Sequence, residues 1–263
     1  MLTATAIRQF IRDGYIAVRG AVPADVVVEC QGMLWKELAN RGIERHDPST
    51  WTLPVVRLDS PEEEPFVSAG TTPALWEAYD QLLGEGTWWK RRGLGGTIPV
   101  RFPSEADPGD AGWHIDGSFD GPDGNYWVNV RSKMRGLLVL FLLTDVEERG
   151  APTRLLKGSH LDIPRVLAPV GDAGTSFERV GSQLPASTFR RERVFATGNA
   201  GDVYVCHPFL VHAASWPHRG TEPRMIAQPG VAILEPFRLS DAADEIDVCP
   251  VEAAILRGLR EPS

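Results

Sequence analysis

Apolar residues recur every three or four positions through the first ninety residues, and this spacing predicts helices. Thr3 can cap the first helix, because its side-chain oxygen can accept a hydrogen bond from a free backbone N–H of the first turn. Gly14 should end that helix, since glycine adopts left-handed backbone angles without strain. The elements predicted in this part of the chain are a helix from Thr3 to Gly14, a strand over 15–19, a helix over 25–40 and a helix from Pro73 to Gly84.

From residue 97 onward the pattern changes to short β-rich runs separated by Gly, Pro and Asp. The predicted strands are 98–102, 112–116, 137–144, 153–156, 203–206 and 224–234, and a last helix is predicted over 251–259. Many short strands with turn-rich gaps are typical of a sandwich, a barrel or a jelly roll. Strands do not alternate with helices, so a doubly wound parallel sheet is not expected.

A chain of 263 residues can form one large domain or two small ones, and all-β domains of this size are often single. We predict one domain over 1–263, with a mostly helical flank over 1–96, a β core over 97–236 and a C-terminal extension over 237–263. The stretch 161–199 is weakly patterned, and a long loop inside a compact domain is usually functional or mobile. We therefore predict that 161–199 forms a lid.

The composition argues against several classes of protein. A net charge of −8 without a basic stripe argues against nucleic-acid binding. Cys30, Cys206 and Cys249 are odd in number and widely spaced, which favours a reducing compartment over a disulfide framework. No signal-peptide pattern is visible, and the longest apolar run, 137–143, is too short to cross a bilayer. We expect a cytoplasmic protein without nucleic-acid or membrane partners, either monomeric or homodimeric.

The tripeptide His114-Ile115-Asp116 and the distant His212 supply two imidazoles and one carboxylate. This is the ligand set of mononuclear Fe(II) oxygenases, and it leaves coordination positions open for a cosubstrate and O₂. In a strand, His114 and Asp116 project to the same side while Ile115 points into the core. Each part also has a simpler interpretation: a surface histidine beside a capping aspartate, and a hydrogen-bonded core histidine at position 212.

Arg224 opens an otherwise apolar predicted strand downstream of His212. A guanidinium that points into a barrel is costly unless a carboxylate meets it, and its paired N–H groups suit bidentate binding of a carboxylate. The alternative is an arginine at a strand edge, exposed to water. Three further histidines lie among turn and polar residues and are predicted to be exposed: His46, His160 and His218.

Four blocks of the chain resemble the phytanoyl-CoA dioxygenase (PhyH-like) family of Fe(II)/2-oxoglutarate-dependent oxygenases. The blocks are Asp13-Gly14-Tyr15 with the strand that follows; Trp113-His114-Ile115-Asp116; the run from Gly150 to His160; and Gly201-Asp202-Val203 leading to Leu210-Val211-His212 and Pro223-Arg224. Four such blocks in this order are far more specific than any one of them.

The resemblance implies a double-stranded β-helix (jelly-roll) core over 97–236, packed by the N-terminal helices. It implies Fe(II) bound by His114, Asp116 and His212, with O₂ and 2-oxoglutarate as cosubstrates. The distal carboxylate of 2-oxoglutarate would lie on Arg224, and two further candidates for cosubstrate contact are Thr153 and Arg101. The candidate substrate contacts are aromatic: Trp113, Phe119, Tyr126, Trp127 and Trp216.

The implied activity is oxidation of a small molecule, by hydroxylation or a related C–H functionalisation, in secondary metabolism. Ala214 stands two positions after the distal histidine, where a serine is frequent, so one cosubstrate hydrogen bond is lost or comes from elsewhere. Asp116 is retained, which decides against the halogenase branch, where a small residue leaves room for halide. Two alternatives stay open: a catalytically inactive jelly-roll binding protein, and a metal-dependent epimerase or cyclase of the same fold.

Overall fold

A computed structural model describes residues 1–239 and 248–260. The α-helices in this part of the chain are α1 (Ala4–Asp13), α2 (Ala24–Asn40), α3 (Phe66–Gly70), α4 (Pro73–Leu83), α5 (Ile163–Leu167), α6 (Phe177–Ser182) and α7 (Pro250–Arg260). Short 3₁₀ helices occupy Pro48–Thr50, Ser159–Leu161, Ala168–Ala173 and Thr188–Arg190. Positions 240–247 and 261–263 of the predicted C-terminal extension lie outside the described residues.

The strands are antiparallel and form three sheets. They are β1 (Tyr15–Val18), β2 (Val55–Asp59), β3 (Thr97–Arg101), β4 (Phe119–Asp120), β5 (Tyr126–Val128), β6 (Leu137–Leu142), β7 (Arg154–Leu156), β8 (Thr175–Ser176), β9 (Arg193–Phe195), β10 (Val203–Cys206), β11 (His212–Ala213), β12 (Arg224–Ala227) and β13 (Gly230–Val231). The large sheet has the order β1-β10-β6-β12-β3-β2, with β13 also paired to β6. The two small sheets have the orders β11-β7-β9 and β4-β5-β8.

Side chains of β6 alternate between two apolar layers, as period-two alternation in a strand requires. Leu137, Val139 and Phe141 belong to the extensive outer cluster that includes the helices, whereas Leu138 and Leu140 belong to a separate inner cluster. The inner cluster also contains Leu155 of β7, Ile226 of β12 and Leu210, so the large sheet packs face to face with β7 and β11. This arrangement of two antiparallel sheets is the predicted jelly roll.

The first helix confirms the local signals read from the sequence. The Thr3 side chain accepts a hydrogen bond from the Ala6 N–H at 3.2 Å, and Gly14 ends α1 at φ +84°. The third predicted helix also begins after Thr72, but there the side chain makes no capping bond and its hydroxyl is buried without a partner.

Two predicted strands differ from the structure. Over 112–116 the chain forms no strand, only an isolated bridge between His114 and His212. The next regular strand pairing along the chain begins at Phe119. The predicted strand 224–234 divides into β12 and β13 around Pro229. Proline has no N–H for the ladder and therefore interrupts a central strand.

The stretch 161–199 folds into short helices and strands. Ile163, Leu167 and Val180 are buried in the outer apolar cluster, and α5 contacts α7. The weak apolar pattern reflects elements too short to show a helical period. The lid function of this stretch stays a prediction.

Two of the three histidines predicted to be exposed are buried. His46 is exposed, but His160 is buried against α1, and His218 is buried where its backbone pairs with Ser104. The prediction was wrong for these two because the polar turns that carry them fold inward. No helix among the described residues is both long and apolar enough to cross a membrane.

Candidate metal centre

The three predicted ligands come together at one end of the barrel. One candidate ligand atom from each of His114, Asp116 and His212 lies within 4.8 Å of the other two. The Asp116 Oδ1 atom is 4.0 Å from His114 Nε2 and 3.8 Å from His212 Nε2. Bonds from a metal ion to nitrogen and oxygen ligands are about 2 Å long, so a single ion fits among atoms at these separations.

Backbone pairing places the two histidines opposite each other, although they are far apart in sequence. The His114 N–H donates to the His212 carbonyl at 3.0 Å, and the His212 N–H donates to the His114 carbonyl at 2.9 Å. The rings are consequently 4.4 Å apart between centroids. In β11, His212 lies opposite Leu155, whose side chain belongs to the inner cluster, so His212 also faces the barrel interior.

Hydrogen bonds at Nδ1 leave both Nε2 atoms available to a metal. His114 Nδ1 lies 2.9 Å from the Gly112 carbonyl, and His212 Nδ1 lies 3.0 Å from the Leu210 carbonyl. A carbonyl only accepts, so each Nδ1 carries the proton and each Nε2 carries a lone pair directed at the centre.

The charges at the centre also suit a cation. Burial lowers the pKa of His212 to about 4, so this imidazole is neutral near pH 7, as a metal ligand must be. Burial alone would raise the pKa of Asp116, but the neighbouring positive charge, chiefly that of Arg135, outweighs this effect. The pKa of Asp116 therefore lies below its ordinary value, and the carboxyl group is ionised.

A guanidinium that the sequence reasoning missed lies beside the trio. Arg135 Nη1 donates to Asp116 Oδ2 at 3.0 Å, and Arg135 Nε donates to the Gly117 carbonyl at 3.0 Å. Arg135 lies two positions before β6, in a mostly polar loop where an arginine gives no periodic signal. Its position before the longest apolar run is the one feature that could have drawn attention to it.

Arg224 lies inside the barrel, away from the strand edge that was its alternative interpretation. It is 2% exposed and lies two positions before Ile226 of the inner cluster, so its side chain is on the same, inward face of β12. Arg224 Nη1 donates to the Ala151 carbonyl at 2.8 Å, while its Nε has no partner. Burial and the neighbouring charge of Arg101 lower the pKa of Arg224 to about 9.

Arg101 faces Arg224 directly across the β3–β12 pairing. Among the described residues, the carboxylate whose charge acts on the pKa of Arg224 is Asp110, which accepts hydrogen bonds from Arg101 and from Arg57 instead. Sequence reasoning missed Asp110, since it lies in a turn-rich segment where aspartate is common.

In the corner of the barrel around Arg101 and Arg224, several buried polar atoms have no hydrogen-bond partner among the described residues. They are Arg224 Nε, Arg101 Nε, Asp110 Oδ1, Thr153 Oγ1 and His218 Nε2. Buried polar groups are nearly always satisfied in native proteins, so an unsatisfied group requires an explanation. Most of these atoms are donors, and a bound carboxylate would supply the acceptors they lack.

The predicted aromatic contacts lie in three different places. The Trp113 ring packs against Arg154 and Arg193, at 4.7 and 5.6 Å from the guanidinium carbons, and Arg154 adjoins the inward-facing Leu155. Trp113 therefore lies on the outer side of β7. Trp216 is 42% exposed and lines a small pocket together with Arg101.

Phe119 and Trp127 are cross-strand partners in the β4–β5 hairpin, which begins three residues after Asp116. Trp127 Nε1 donates to Asp123 at 2.8 Å, and the Lys133 ammonium lies 5.1 Å from the Phe119 ring. Their proximity in sequence to the metal motif keeps both as candidate substrate contacts, and the roles of all the predicted aromatic residues stay predictions.

Comparison with protein families identifies the class. The model of the phytanoyl-CoA dioxygenase (PhyH) family matches residues 61–226, which is more than half of the chain. The chain belongs to this family, and the Fe(II)- and 2-oxoglutarate-dependent oxygenase class predicted from its sequence motifs is confirmed. No curated protein matches the sequence of the chain.

Solved structures share the fold at low sequence identity. The epimerase SnoN, in complex with Fe³⁺, alpha ketoglutarate and nogalamycin RO, is 19% identical over 87% of this chain and 82% of its own, with a TM-score of 0.58. The carbocyclase SnoK from nogalamycin biosynthesis is 18% identical over 88% and 84%, with a TM-score of 0.59. HygX from Streptomyces hygroscopicus, with nickel and 2-oxoglutarate bound, is 17% identical over 94% of each chain, with a TM-score of 0.56.

Proposed function

We propose that this enzyme binds Fe(II) through His114, Asp116 and His212 and uses 2-oxoglutarate and O₂ to oxidise a C–H bond of a small molecule. The observation that carries the proposal is the convergence of His114 Nε2 and His212 Nε2 on one carboxylate oxygen, at 4.0 and 3.8 Å. Three ligands on one face leave the remaining positions of the ion open.

The cosubstrate assignment rests on Arg224. Its unpartnered Nε and the unpartnered Thr153 hydroxyl are donors for the distal carboxylate, and Arg101 adds a second positive charge across the strand pair. An unsatisfied buried donor costs about 1–3 kcal/mol. A dicarboxylate that accepts these hydrogen bonds removes that cost, and its binding free energy becomes more favourable by a comparable amount.

Bound iron would bring 2-oxoglutarate and O₂ together: O₂ would be the oxidant, and decarboxylation of 2-oxoglutarate to succinate and CO₂ would supply two of the four electrons that reduce it, the substrate C–H bond supplying the other two. The residues of the chain bind and orient these groups. The Nδ1 bonds of His114 and His212 fix the two rings, and the Arg135 bond fixes the carboxylate of Asp116. Rigid ligands of this kind place the reacting groups before the substrate arrives.

We place the substrate among small molecules of secondary metabolism. SnoN was solved with nogalamycin RO and HygX with hygromycin B, and both share the jelly roll described above. Phe119 and Trp127 offer an aromatic surface beside the metal motif. The outcome is hydroxylation or a related reaction; because SnoN is an epimerase and SnoK a carbocyclase, epimerisation or ring closure is the second candidate.

We also propose that the enzyme is cytoplasmic, is monomeric or homodimeric, and has no nucleic-acid or membrane partner. Cys30, Cys206 and Cys249 are free thiols, which fits a reducing compartment. The net charge of −8 opposes binding to phosphate backbones.

Formation of succinate from 2-oxoglutarate in the presence of Fe(II) and ascorbate tests the proposal. We expect slow turnover without substrate in the wild-type protein and none in His114→Ala or Asp116→Ala. If the wild-type protein loads iron and 2-oxoglutarate but forms no succinate with any panel of candidate substrates, the binding-protein alternative holds instead. An anaerobic assay separates an O₂-independent epimerase, which retains activity without oxygen.

Arg224→Ala isolates the cosubstrate role. Loss of a charge-assisted bond worth about 1.5–3 kcal/mol should raise the 2-oxoglutarate requirement roughly 10- to 100-fold while leaving the affinity for iron unchanged. Arg193→Ala, which removes an exposed arginine outside the corner, serves as the control. An unchanged 2-oxoglutarate requirement in Arg224→Ala contradicts the assignment.

A further inference from the structure

Arg135 is the one side chain among residues 1–239 and 248–260 that hydrogen-bonds Asp116. It donates to Oδ2 at 3.0 Å, whereas Oδ1 is the oxygen nearest to His114 and His212. The two oxygens of the carboxylate therefore have different partners. Oδ1 faces the imidazoles, and Oδ2 is occupied by a guanidinium.

The guanidinium is itself held in place by the backbone around it. Its Nε donates to the Gly117 carbonyl, directly after Asp116, so the two bonds fix both the carboxylate and the following peptide. On the β13 side it lies against Gly230, where a Cβ would come within 2.9 Å of Arg135 Nη1. The absence of a side chain at Gly230 makes room for the guanidinium.

A carboxylate can bind a metal through one oxygen or through both. Bidentate binding by Asp116 would give the ion four protein donor atoms, where one-oxygen binding gives three. A chelating cosubstrate and O₂ require the positions that remain open. A donor that occupies Oδ2 opposes bidentate binding, because the charge-assisted bond would have to break first.

We propose that Arg135 is a positioning residue that restricts Asp116 to binding the metal through Oδ1. The inference rests on the proposed function, since it takes the trio as the metal ligands. It adds a residue outside the trio that determines how many positions of the ion stay open.

A purely electrostatic role predicts the opposite result for metal affinity. A positive charge next to a cation site repels the ion, so its removal should tighten metal binding if charge were all that mattered. Loss of an outer group that orients a ligand instead weakens metal binding, typically 10- to 100-fold. The sign of the change therefore separates the two roles.

The experiment is titration of the metal-free protein with Co(II), followed by the visible absorption of the bound ion. Arg135→Met keeps most of the side-chain length and removes both hydrogen bonds, and Arg135→Lys keeps the charge without the planar fork. Arg131→Met is the matched control, since Arg131 lies in the same loop and donates to the Phe237 carbonyl. The melting temperature of each metal-free variant shows whether the fold is intact.

We expect Co(II) binding to weaken about 10- to 100-fold in Arg135→Met, and also to weaken in Arg135→Lys, with a change in the Co(II) spectrum that reports an added oxygen ligand. Arg131→Met should stay within about twofold of the wild type. Unchanged or tighter binding in a folded Arg135→Met overturns the proposal, and so does a wild-type spectrum and affinity in Arg135→Lys. A wild-type protein that binds no Co(II) contradicts the ligand trio itself, which is a different failure.

Discussion

Two pairs of imidazoles lie in this molecule at almost the same spacing. The ring centroids of His114 and His212 are 4.4 Å apart, and those of His160 and His207 are 4.8 Å apart. The first pair turns its two Nε2 atoms toward one carboxylate. The second pair uses its Nε2 atoms for hydrogen bonds to the backbone, to the carbonyls of Ile11 and Val251.

The difference shows that the spacing of two histidines does not make a metal site. Among the described residues, only the first pair has a carboxylate oxygen close enough to both rings to form a group of three ligands. His160 and His207 instead connect the barrel to α1 and α7, because Ile11 lies in α1 and Val251 in α7. The direction of the free lone pair decides the role of each pair.

The largest effect should come from removing one ring of the first pair. A four-ligand metal site binds with about 10–16 kcal/mol in total, so loss of His212 in His212→Ala should cost roughly 3–4 kcal/mol, or about 100- to 1,000-fold in metal affinity. His207→Ala should keep metal affinity within a few-fold. Titration with Co(II) or Fe(II) checks both, and equal losses in the two variants would break the comparison.

For the stability of the fold, we expect the second pair to matter more than the first. His160 is fully buried and donates to the Ile11 carbonyl, so His160→Ala leaves a cavity and an unsatisfied acceptor and should cost about 2–4 kcal/mol of unfolding free energy. His114, which is partly exposed, should cost less than about 1 kcal/mol when replaced by Ala in the metal-free protein. Urea denaturation measures both values. A larger loss for His114→Ala than for His160→Ala would reverse the assigned roles.

The pH dependence gives the smallest and most specific test. Burial lowers the pKa of His160 to about 4 in the folded protein, against about 6.5 when unfolded. The unfolded chain therefore takes up the proton first, so this contribution to stability is complete above pH 6.5 and is lost progressively as the pH falls toward 4. Between pH 7 and 5 the loss is on the order of 1–2 kcal/mol.

His160→Gln keeps a donor for the Ile11 carbonyl but does not titrate. The difference between the wild-type and His160→Gln unfolding free energies should therefore narrow as the pH is lowered from 7 to 5, and the comparison cancels the contribution of His212, whose pKa is lowered in the same direction. A difference that is independent of pH would show that the pKa of His160 is the same in the folded and unfolded states, which contradicts its lowering by burial.

Local signals predicted those parts of the fold that local chemistry determines. Thr3 and Gly14 bound the first helix because a capping hydroxyl and a left-handed glycine act within one turn. The strand 203–206 was predicted with the bounds of β10 because its apolar run is continuous and ends at turn residues. His114, Asp116 and His212 were predicted to come together from their residue types and from the order of the four family-like blocks, and the structure brings them together; their role as metal ligands stays a prediction.

The rest depends on tertiary packing, which a single sequence does not report. The burial of His160 and His218 follows from where their turns pack, and the turn composition alone suggested exposure. Asp110 and Arg135 are ordinary polar residues in irregular segments, and only the folded chain brings them beside Arg101 and Asp116. Residues that support a site thus have weaker sequence signals than residues that form it.

The pairing of Arg101 with Arg224 across neighbouring strands has a consequence for the end of the catalytic cycle. Like charges at directly opposed positions destabilise a strand pair, so this part of the barrel is most stable when an anion lies between or beside them. Succinate retains the distal carboxylate that 2-oxoglutarate would present to Arg224. With Arg224 in its proposed role, the attraction that would capture the cosubstrate would also retard departure of the coproduct, which makes release of succinate a candidate for the slow step of turnover.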